Sequence, residues 1–362
     1  MKKILPLIII LSILPVATFA YEEKPAYIPA YVNVFSAGSV LAMCVQTGDV
    51  LFEQEGFTRR YPASITKIMT ALVVLEQVRD LNAPIYFSEN AVALPYYAGR
   101  MGMEAGESMT VLEALYGIML PSANEVARAL AEHVSGSIGE FVILMNRRAQ
   151  ALGAHDTQFI NPCGLPGANQ FTTAHDMALI KRAAIENPIY VEIIRTPYLD
   201  FPPTPQHEYV RQMRNSNLMV RPGTEEFNTL VIGGKTGFTN AAQHTLITYA
   251  AKDDREIILS VLYASPRSEI FSNTALLMDY VFENWKPEEI PEEIPDEETA
   301  PVFAYAYDET YTEPYEKPYE YAEESYESRT ISDTEALVAA SMSLAFAGAA
   351  LLALLFLRKK LA

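Results

Sequence analysis

The spacing of apolar residues predicts strands at the beginning and end of residues 31–285 and helices between them. The stretch SVLAMCVQTGDVLFEQE has two apolar runs around Thr47-Gly48-Asp49, which predicts a β-hairpin. The runs TLITYAAK and EIILSVLYA, residues 245–252 and 256–264, predict two further strands, followed by a helix over about residues 270–285. One-sided helical spacing predicts five more helices, over residues 65–78, 110–120, 124–134, 140–152 and 174–184. This order predicts an α+β fold whose antiparallel sheet is closed by both ends, as one domain or two merged subdomains.

Residues 1–20 have the pattern of a secretory signal peptide. Two lysines precede an apolar run over residues 4–14, and small residues follow before the expected cleavage point. An uncleaved membrane anchor is the alternative, but the run is short beside the roughly 20 residues of a bilayer span. We therefore expect the chain to be exported.

Residues 336–357 predict a transmembrane helix. They are 22 residues without a charge, and at about 1.5 Å each they can cross a hydrocarbon core of roughly 30 Å. The basic tail, residues 358–362, is expected in the cytoplasm, so the protein would be a single-pass cell-membrane protein with its catalytic domain outside. The alternatives are a buried core helix and a cell-wall sorting signal, but the LPxTG motif of such a signal is missing upstream.

Residues 286–334 predict a disordered acidic linker that acts as a stalk. They contain 16 acidic residues against three basic ones, are rich in Pro and Tyr, and include the near-repeat EPYEKPYE. This composition buries too little apolar surface to offset the entropy cost of ordering, and like charges extend the chain. A tyrosine-rich binding or phosphorylation motif is the alternative interpretation of the repeat.

Composition argues against several classes of function. The net charge is −18 at pH 7 and no basic patch stands out, so we expect no nucleic-acid partner. The five histidines lack the spacing of zinc ligands, so we expect neither a metal nor another cofactor. The two cysteines, Cys44 and Cys163, do not make a disulfide framework, although one bridge stays open.

The stretch YPASITKIMT contains the first candidate chemistry. Ser64 and Lys67 stand three residues apart at the start of a predicted helix, so the lysine amine can reach the serine hydroxyl. A serine needs a base to act as a nucleophile, and a lysine with a lowered pKa can supply one. Serine is also a favoured helix cap, and the four-residue pattern is common by chance. The pair alone therefore does not decide between a cap and a nucleophile.

Two later motifs favour the nucleophile. Ser122 and Asn124 stand two residues apart before a predicted helix, where either could also be a cap. Lys235-Thr236-Gly237 follows two glycines in a predicted strand, and glycine in a strand often marks close approach of a ligand or backbone. A Walker phosphate loop is excluded because residue 229, its required first glycine, is threonine. In this order S-x-x-K, S-x-N and K-T-G are the motifs of penicillin-binding proteins and class A β-lactamases.

The chain resembles the low-molecular-mass penicillin-binding proteins that act as D-alanyl-D-alanine carboxypeptidases. The resemblance covers about residues 33–285 and includes PASITKIMTALVVLE, PSANEVARALAEHVSGS, FVILMNRRAQALGAHDTQFINPCGL, FTTAHDMALI and GGKTGFTNAAQHTL. It implies a β-lactamase/transpeptidase-like fold with a five-stranded antiparallel sheet flanked by helices, a mostly helical subdomain, and the site in the groove between them. Thr173 and Asp176 in FTTAHDMALI also have the spacing of a helix capping box.

The resemblance implies catalytic roles for four residues. Ser64 would be the acyl nucleophile and Lys67 its general base. Ser122 would relay a proton to the leaving D-alanine, and Asn124 would hold Lys67 and the substrate amide. Water would then hydrolyse the acyl-enzyme.

The resemblance also implies a set of substrate-binding residues around the K-T-G motif. Lys235 would keep the site electropositive and lower the pKa of Lys67, and Thr236 and Gly237 complete the motif beside the substrate carboxylate. The backbone N–H groups of Ser64 and Phe238 would form the oxyanion hole. Arg267 is the candidate for binding the terminal carboxylate, although its spacing to the following leucines differs from the family pattern.

Three features depart from the family pattern. Cys163 takes the place of the histidine in N-P-H-G-L, and Gln243 takes the place of a glycine after K-T-G-F-T-A-A. Because the acidic segment 286–334 directly precedes the predicted membrane helix, we do not expect the second, β-rich domain that many relatives carry. The role of the missing imidazole is therefore open.

We expect a membrane-anchored serine D-Ala-D-Ala carboxypeptidase. Its substrate would be the peptidoglycan pentapeptide, and β-lactam antibiotics would be covalent inhibitors. A serine β-lactamase is one alternative, but the E-x-x-L-N loop that activates water in class A enzymes is missing between Asn124 and Lys235. A non-catalytic surface protein on a stalk is another, and the presence of all the motif side chains argues against it.

Overall fold

The computed structural model describes residues 37–286. In chain order, its strands are β1 Ser39–Cys44, β2 Val50–Gln54, β3 Pro84–Tyr86, β4 Ser108–Thr110, β5 Tyr198–Phe201, β6 Arg211–Arg214, β7 Val231–Thr239, β8 Gln243–Lys252 and β9 Arg255–Ala264. The helices are α1 Lys67–Gln77, α2 Glu89–Val92, α3 Val111–Met119, α4 Asn124–Ser135, α5 Ile138–Ala151, α6 Ala174–Ile185, α7 Pro188–Arg195 and α8 Arg267–Asn284.

The main sheet is antiparallel and has five strands in the order β2-β1-β9-β8-β7. Strand β1 pairs with β2 in the predicted hairpin and, on its other side, with β9, where Val40 lies opposite Val261. The two ends of the described chain therefore meet in the middle of the sheet. This arrangement confirms the predicted α+β class and the closure of the sheet by both ends.

The sheet separates two hydrophobic cores. Alternate residues of a strand point to opposite faces, and β1 is buried on both. Leu41 and Met43 pack into the large core of the helical side, whereas Val40 and Ala42 pack into the core covered by α8. Burial of each large apolar side chain contributes about 1.5–3 kcal/mol to folding. Strand β1, whose sequence is a nearly continuous apolar run, therefore lies inside the sheet and is covered on both faces.

Helix α1 is enclosed by its neighbours. Residues Lys67–Val74 are all buried, including the lysine itself. The first turn of this helix consequently carries an amine into a region of low dielectric constant, where its charged form is costly.

A second buried lysine lies away from this turn. Lys181 of α6 is fully buried, with its Nζ 3.2 Å from Tyr190 Oη of α7 and 4.6 Å from the centre of that ring. Burial lowers the pKa of Lys181 well below its usual range. Its contact with Tyr190 links α6 to α7.

Some local predictions differ from the structure. Thr173 does cap α6, because its Oγ1 accepts a hydrogen bond from Asp176 N at 3.0 Å. The full capping box is not formed, since the Asp176 carboxylate accepts instead from Asp156 N and Thr157 Oγ1, each at 2.8 Å. Helix α7 and the small sheets β3-β4 and β5-β6 were not predicted.

Within residues 37–286, no helix combines the length and apolar character needed to cross a bilayer. The predicted signal peptide (1–20), membrane helix (336–357) and tail (358–362) lie outside the described residues, as does the predicted linker beyond residue 286.

Candidate active site

Ser64 lies in a 3-10 turn, Ala63–Thr66, that leads directly into α1. The cap positions of this turn and of α1 are Pro62 and Thr66, and neither makes a side-chain cap bond. The interpretation of Ser64 as a helix cap is therefore wrong. Its hydroxyl instead lies 3.1 Å from Lys67 Nζ, as the three-residue spacing predicts.

Lys67 Nζ has three oxygen neighbours. Besides Ser64 Oγ, they are Asn124 Oδ1 and the Cys163 carbonyl oxygen, each at 2.7 Å. A neutral amine has two N–H donors and one lone pair, so the two carbonyl oxygens can take both donors. The lone pair is then left for the Ser64 hydroxyl, which is the geometry a general base requires.

The environment of Lys67 favours this neutral form. Burial lowers the pKa of Lys67 to about 8, although Cys163 and Glu125 act in the opposite direction. The resemblance implied that Lys235 lowers this pKa, but the lowering comes from burial of Lys67 itself. Burial, and then repulsion from Lys67, lower the pKa of Lys235 well below its usual range. Both effects disfavour a state in which the two lysines are positively charged together.

The S-x-N motif forms the turn that opens α4. Ser122 has a φ of 67°, and its Oγ is buried without a hydrogen-bond partner among the described residues. Ala123 is the cap residue of α4 and makes no side-chain cap bond, so the cap interpretations of Ser122 and Asn124 are also wrong. Asn124 is held between Lys67 and the Gly99 carbonyl oxygen, which accepts from Asn124 Nδ2 at 2.8 Å.

The K-T-G motif lies on β7, as predicted, against the Ser64 turn. Gly237 is the point of closest approach, because a Cβ there would lie 2.8 Å from Ser64 N and would overlap Thr245 Oγ1. Lys235 is fully buried and donates to Thr236 O at 3.1 Å. Thr236 Oγ1 donates to Ser216 Oγ at 2.7 Å, which adds a hydroxyl that sequence reasoning missed.

Phe238 and His244 are paired across β7 and β8, and both interact with neighbours near the end of the strand pair. The Phe238 ring is 53% exposed and packs on the ring of His244, with centroids 4.5 Å apart. Burial, and then the Arg267 guanidinium, lower the pKa of His244. Arg267 is the first residue of α8 and is exposed. The structure therefore places Arg267 near His244, and shows no hydrogen bond between Arg267 and Lys235 or Thr236.

The turn that follows residue 160 supplies a backbone contact to Lys67 that the sequence did not indicate. Asn161 Oδ1 accepts from the backbone N–H groups of Cys163, Gly164 and Leu165 at 3.2, 2.7 and 3.2 Å. This turn directs the Cys163 carbonyl oxygen at Lys67. The Cys163 thiol is buried and donates to Asn161 Oδ1 at 3.3 Å, and burial raises its pKa. At the position of the missing histidine, the backbone contacts the candidate base while the side chain is engaged within its own turn.

Comparison with known proteins agrees with this geometry. The sequence model of peptidase S11, described as D-alanyl-D-alanine carboxypeptidase, matches residues 27–266. The chain belongs to the peptidase S11 family.

Two curated members of the S11 family illustrate the similarity. The D-alanyl-D-alanine carboxypeptidase DacF of Bacillus subtilis is 30% identical over 253 residues, which are 66% of this chain and 60% of DacF. The D-alanyl-D-alanine carboxypeptidase DacB2 of Mycobacterium tuberculosis is 32% identical over 244 residues, which are 66% of this chain and 79% of DacB2. The similarity to DacF thus spans less than two thirds of that relative.

A solved structure shows the same fold as this S11 member. The crystal structure of the Streptomyces K15 DD-transpeptidase superposes with a TM-score of 0.64 at 27% identity, covering 69% of this chain and 98% of that chain. The agreement supports the implied architecture of a five-stranded antiparallel sheet with helices.

Proposed function

We propose that this S11 member is a serine-type D-Ala-D-Ala carboxypeptidase that removes the terminal D-alanine from peptidoglycan stem peptides. The observation that carries the proposal is the buried Lys67 amine, held by Asn124 Oδ1 and the Cys163 carbonyl oxygen and 3.1 Å from Ser64 Oγ. The activity in the names of DacF and DacB2 supports the same reaction.

Acylation would begin with proton transfer from the Ser64 hydroxyl to neutral Lys67. Ser64 Oγ would form a bond to the carbonyl carbon of the peptide bond between the two D-alanines. The negative charge that develops on the carbonyl oxygen would be stabilised by the backbone N–H groups of Ser64 and Phe238. The close approach of Gly237 to Ser64 N supports this pairing of donors.

Departure of D-alanine requires a proton on its amine. Lys67 would return the proton that it took from Ser64, and the unpartnered Ser122 hydroxyl would relay it. Thr236 would bind the substrate carboxylate together with Ser216, its hydrogen-bond partner, and Arg267 at the rim would attract the same charge. Water would then hydrolyse the ester, with Lys67 again taking a proton.

The rate of acylation should rise with pH through about 8. Only neutral Lys67 can accept the Ser64 proton, and its pKa is lowered to about 8, so the reactive fraction increases as the pH passes that value. The measurement is the second-order rate constant of acylation by benzylpenicillin between pH 6 and 10. A rate that falls between pH 7 and 9 would contradict the assignment of Lys67 as the base.

The deciding experiment compares wild type with Ser64→Ala. Wild type should be labelled by a fluorescent penicillin and should release D-alanine from a Lys-D-Ala-D-Ala peptide, and Ser64→Ala should do neither. Labelling that survives the substitution would refute Ser64 as the nucleophile. Rapid catalytic turnover of penicillin by wild type would favour the β-lactamase alternative. If wild type is neither labelled by the penicillin nor able to release D-alanine, a non-catalytic protein is favoured.

We also propose that the enzyme is exported and anchored in the cell membrane, with its active site outside. The support is the signal-like sequence of residues 1–20, the uncharged segment 336–357 with its basic tail 358–362, and the acidic segment 286–334 as a spacer. Fractionation of cells, followed by protease treatment of intact protoplasts, tests this topology. Recovery of the intact protein in the cytosol would refute it.

A further inference from the structure

Two adjacent tyrosines stand on the surface in the segment that joins α2 to β4. Tyr96 is 95% exposed and Tyr97 is 65% exposed. Their rings meet edge to face, with centroids 5.5 Å apart and an interplanar angle of 84°. Aromatic side chains of this size usually bury most of their area. Two neighbouring rings that bury so little are unusual on a stable surface, and the pair is called the Tyr96/Tyr97 platform below.

The loop that carries the platform is held by specific hydrogen bonds. Arg100 Nη2 donates to Pro95 O at 2.8 Å, and Arg128 Nη1 of α4 donates to Ala93 O at 2.8 Å. Ala98 N donates to Pro95 O at 3.0 Å and closes a turn around the two tyrosines. Neither ring takes part in these bonds, so the loop is held by hydrogen bonds that do not involve the two tyrosine side chains.

The platform is continuous with the candidate active site. Gly99, two residues after Tyr97, accepts through its carbonyl oxygen from Asn124 N at 3.1 Å and from Asn124 Nδ2 at 2.8 Å. The same Asn124 side chain holds Lys67. The segment that follows Gly99 is also bonded to α4. The N–H groups of Met101 and Gly102 donate to Glu125 Oε1 at 2.7 and 3.0 Å. The two tyrosines therefore stand two and three residues from a backbone group, Gly99 O, that holds a side chain of the candidate site.

We propose that the Tyr96/Tyr97 platform binds the glycan portion of the peptidoglycan substrate. This inference rests on the proposed function, because a stem peptide in the groove is covalently attached to a glycan chain outside it. Sugar rings have faces of C–H groups that pack on the electron-rich faces of aromatic rings, and the tyrosine hydroxyls can hydrogen-bond to sugar hydroxyls. The platform itself contains no charged group, which suits a neutral saccharide.

The first test measures binding without catalysis. Two proteins are sedimented with insoluble peptidoglycan. One carries Ser64→Ala alone, and the other carries Ser64→Ala together with Tyr96→Ala and Tyr97→Ala. We expect the pair to weaken binding roughly tenfold, on the scale of two lost ring contacts. Replacement of both residues by Trp should restore binding, since the aromatic faces are kept. Tyr86→Ala is the matched control, because Tyr86 is 67% exposed but lies on β3, which pairs with β4.

The second test compares the rates of D-alanine release from two substrates, using protein that retains Ser64. The loss of kcat/KM caused by the Tyr96→Ala and Tyr97→Ala pair should be roughly tenfold larger on polymeric peptidoglycan than on a Lys-D-Ala-D-Ala peptide. Equal losses on the two substrates, unchanged binding to peptidoglycan, or an equal effect of Tyr86→Ala would overturn the proposal. The proposal would also be overturned if the Tyr96→Ala and Tyr97→Ala pair abolished sedimentation with anionic lipid vesicles but left peptidoglycan binding unchanged. That result would indicate that the platform contacts a membrane. If wild type releases no D-alanine from either substrate, the proposed function fails, whereas the sedimentation test still reports on the platform.

Discussion

Replacement of Lys67 by methionine is expected to lower the second-order rate constant of acylation by benzylpenicillin about 10³-fold, within the range for loss of a general base. Lys67→Arg should be equally inactive, because a guanidinium stays protonated and cannot accept the Ser64 proton. The pair of variants thereby separates the requirement for a base from the requirement for a charge. The measurement is the rate of labelling by a fluorescent penicillin under pseudo-first-order conditions.

Folding must be checked in the same variants. Methionine leaves Asn124 Oδ1 and the Cys163 carbonyl oxygen without their shared donor, at a cost of about 1–3 kcal/mol for each buried group left unpaired. Urea unfolding shows whether the variant is still folded at the assay temperature. Lys252→Met, at the far end of β8, is the control for the loss of a lysine and should acylate like wild type. Acylation by Lys67→Arg within tenfold of wild type would contradict the assigned role.

Gly164→Ala is expected to destabilise the fold by more than about 3 kcal/mol and to lower acylation as well. Gly164 has a φ of +87°, and a Cβ there would overlap the Ala63 carbonyl oxygen and lie 3.0 Å from Thr66 Oγ1. The overlapping atom is backbone of the Ser64 turn, so relief requires the two turns to separate. Such a movement would also carry the Cys163 carbonyl oxygen away from Lys67.

Gly136→Ala is the matched control for this substitution. Gly136, at the end of α4, has a similar φ of +74°, but a Cβ there would meet no atom within 4 Å. Its replacement should therefore cost only the backbone strain, about 1 kcal/mol. The free energies of unfolding in urea give the comparison. Similar losses in the two variants would show that the contact between the turns is not what requires glycine at residue 164.

The sequence patterns predicted those elements of the fold that are determined by residues close together in the chain. The hairpin of β1 and β2 and the strands β8 and β9 follow from apolar runs around turn residues, and the structure has them at nearly the predicted residues. The pairing of β5 with β6 was missed because each strand has only four residues and β6, RQMR, is mostly polar. Arg211 of β6 is buried, and its Nη2 forms an ion pair with Glu107 Oε1 at 2.9 Å. Glu107 comes from a distant part of the chain. No periodicity within β6 can signal such a pair.

The same distinction applies to the site. The reach from Lys67 to Ser64 depends on helical spacing, so the sequence indicates it. The contact between Lys67 and the Cys163 carbonyl oxygen has no such signal, because every residue has a carbonyl group and only the turn at Asn161 directs this one. Gly164 was the available hint, since a glycine inside a loop often marks a positive φ or a close approach. The cap interpretations of Ser64, Ser122 and Asn124 failed because their side chains face the groove.

The pairing of β1 with β9 has a consequence for the order in which the protein can fold. Val40 finds its partner Val261 only after about 220 further residues have been synthesised, and contacts of such long sequence separation slow folding. Until the last strand is available, β1 has a free edge and an apolar surface on both faces. Such an edge can pair with another chain, so incomplete chains of this protein are open to aggregation. The sheet that supports Ser64 is thus among the last parts of the molecule to become complete.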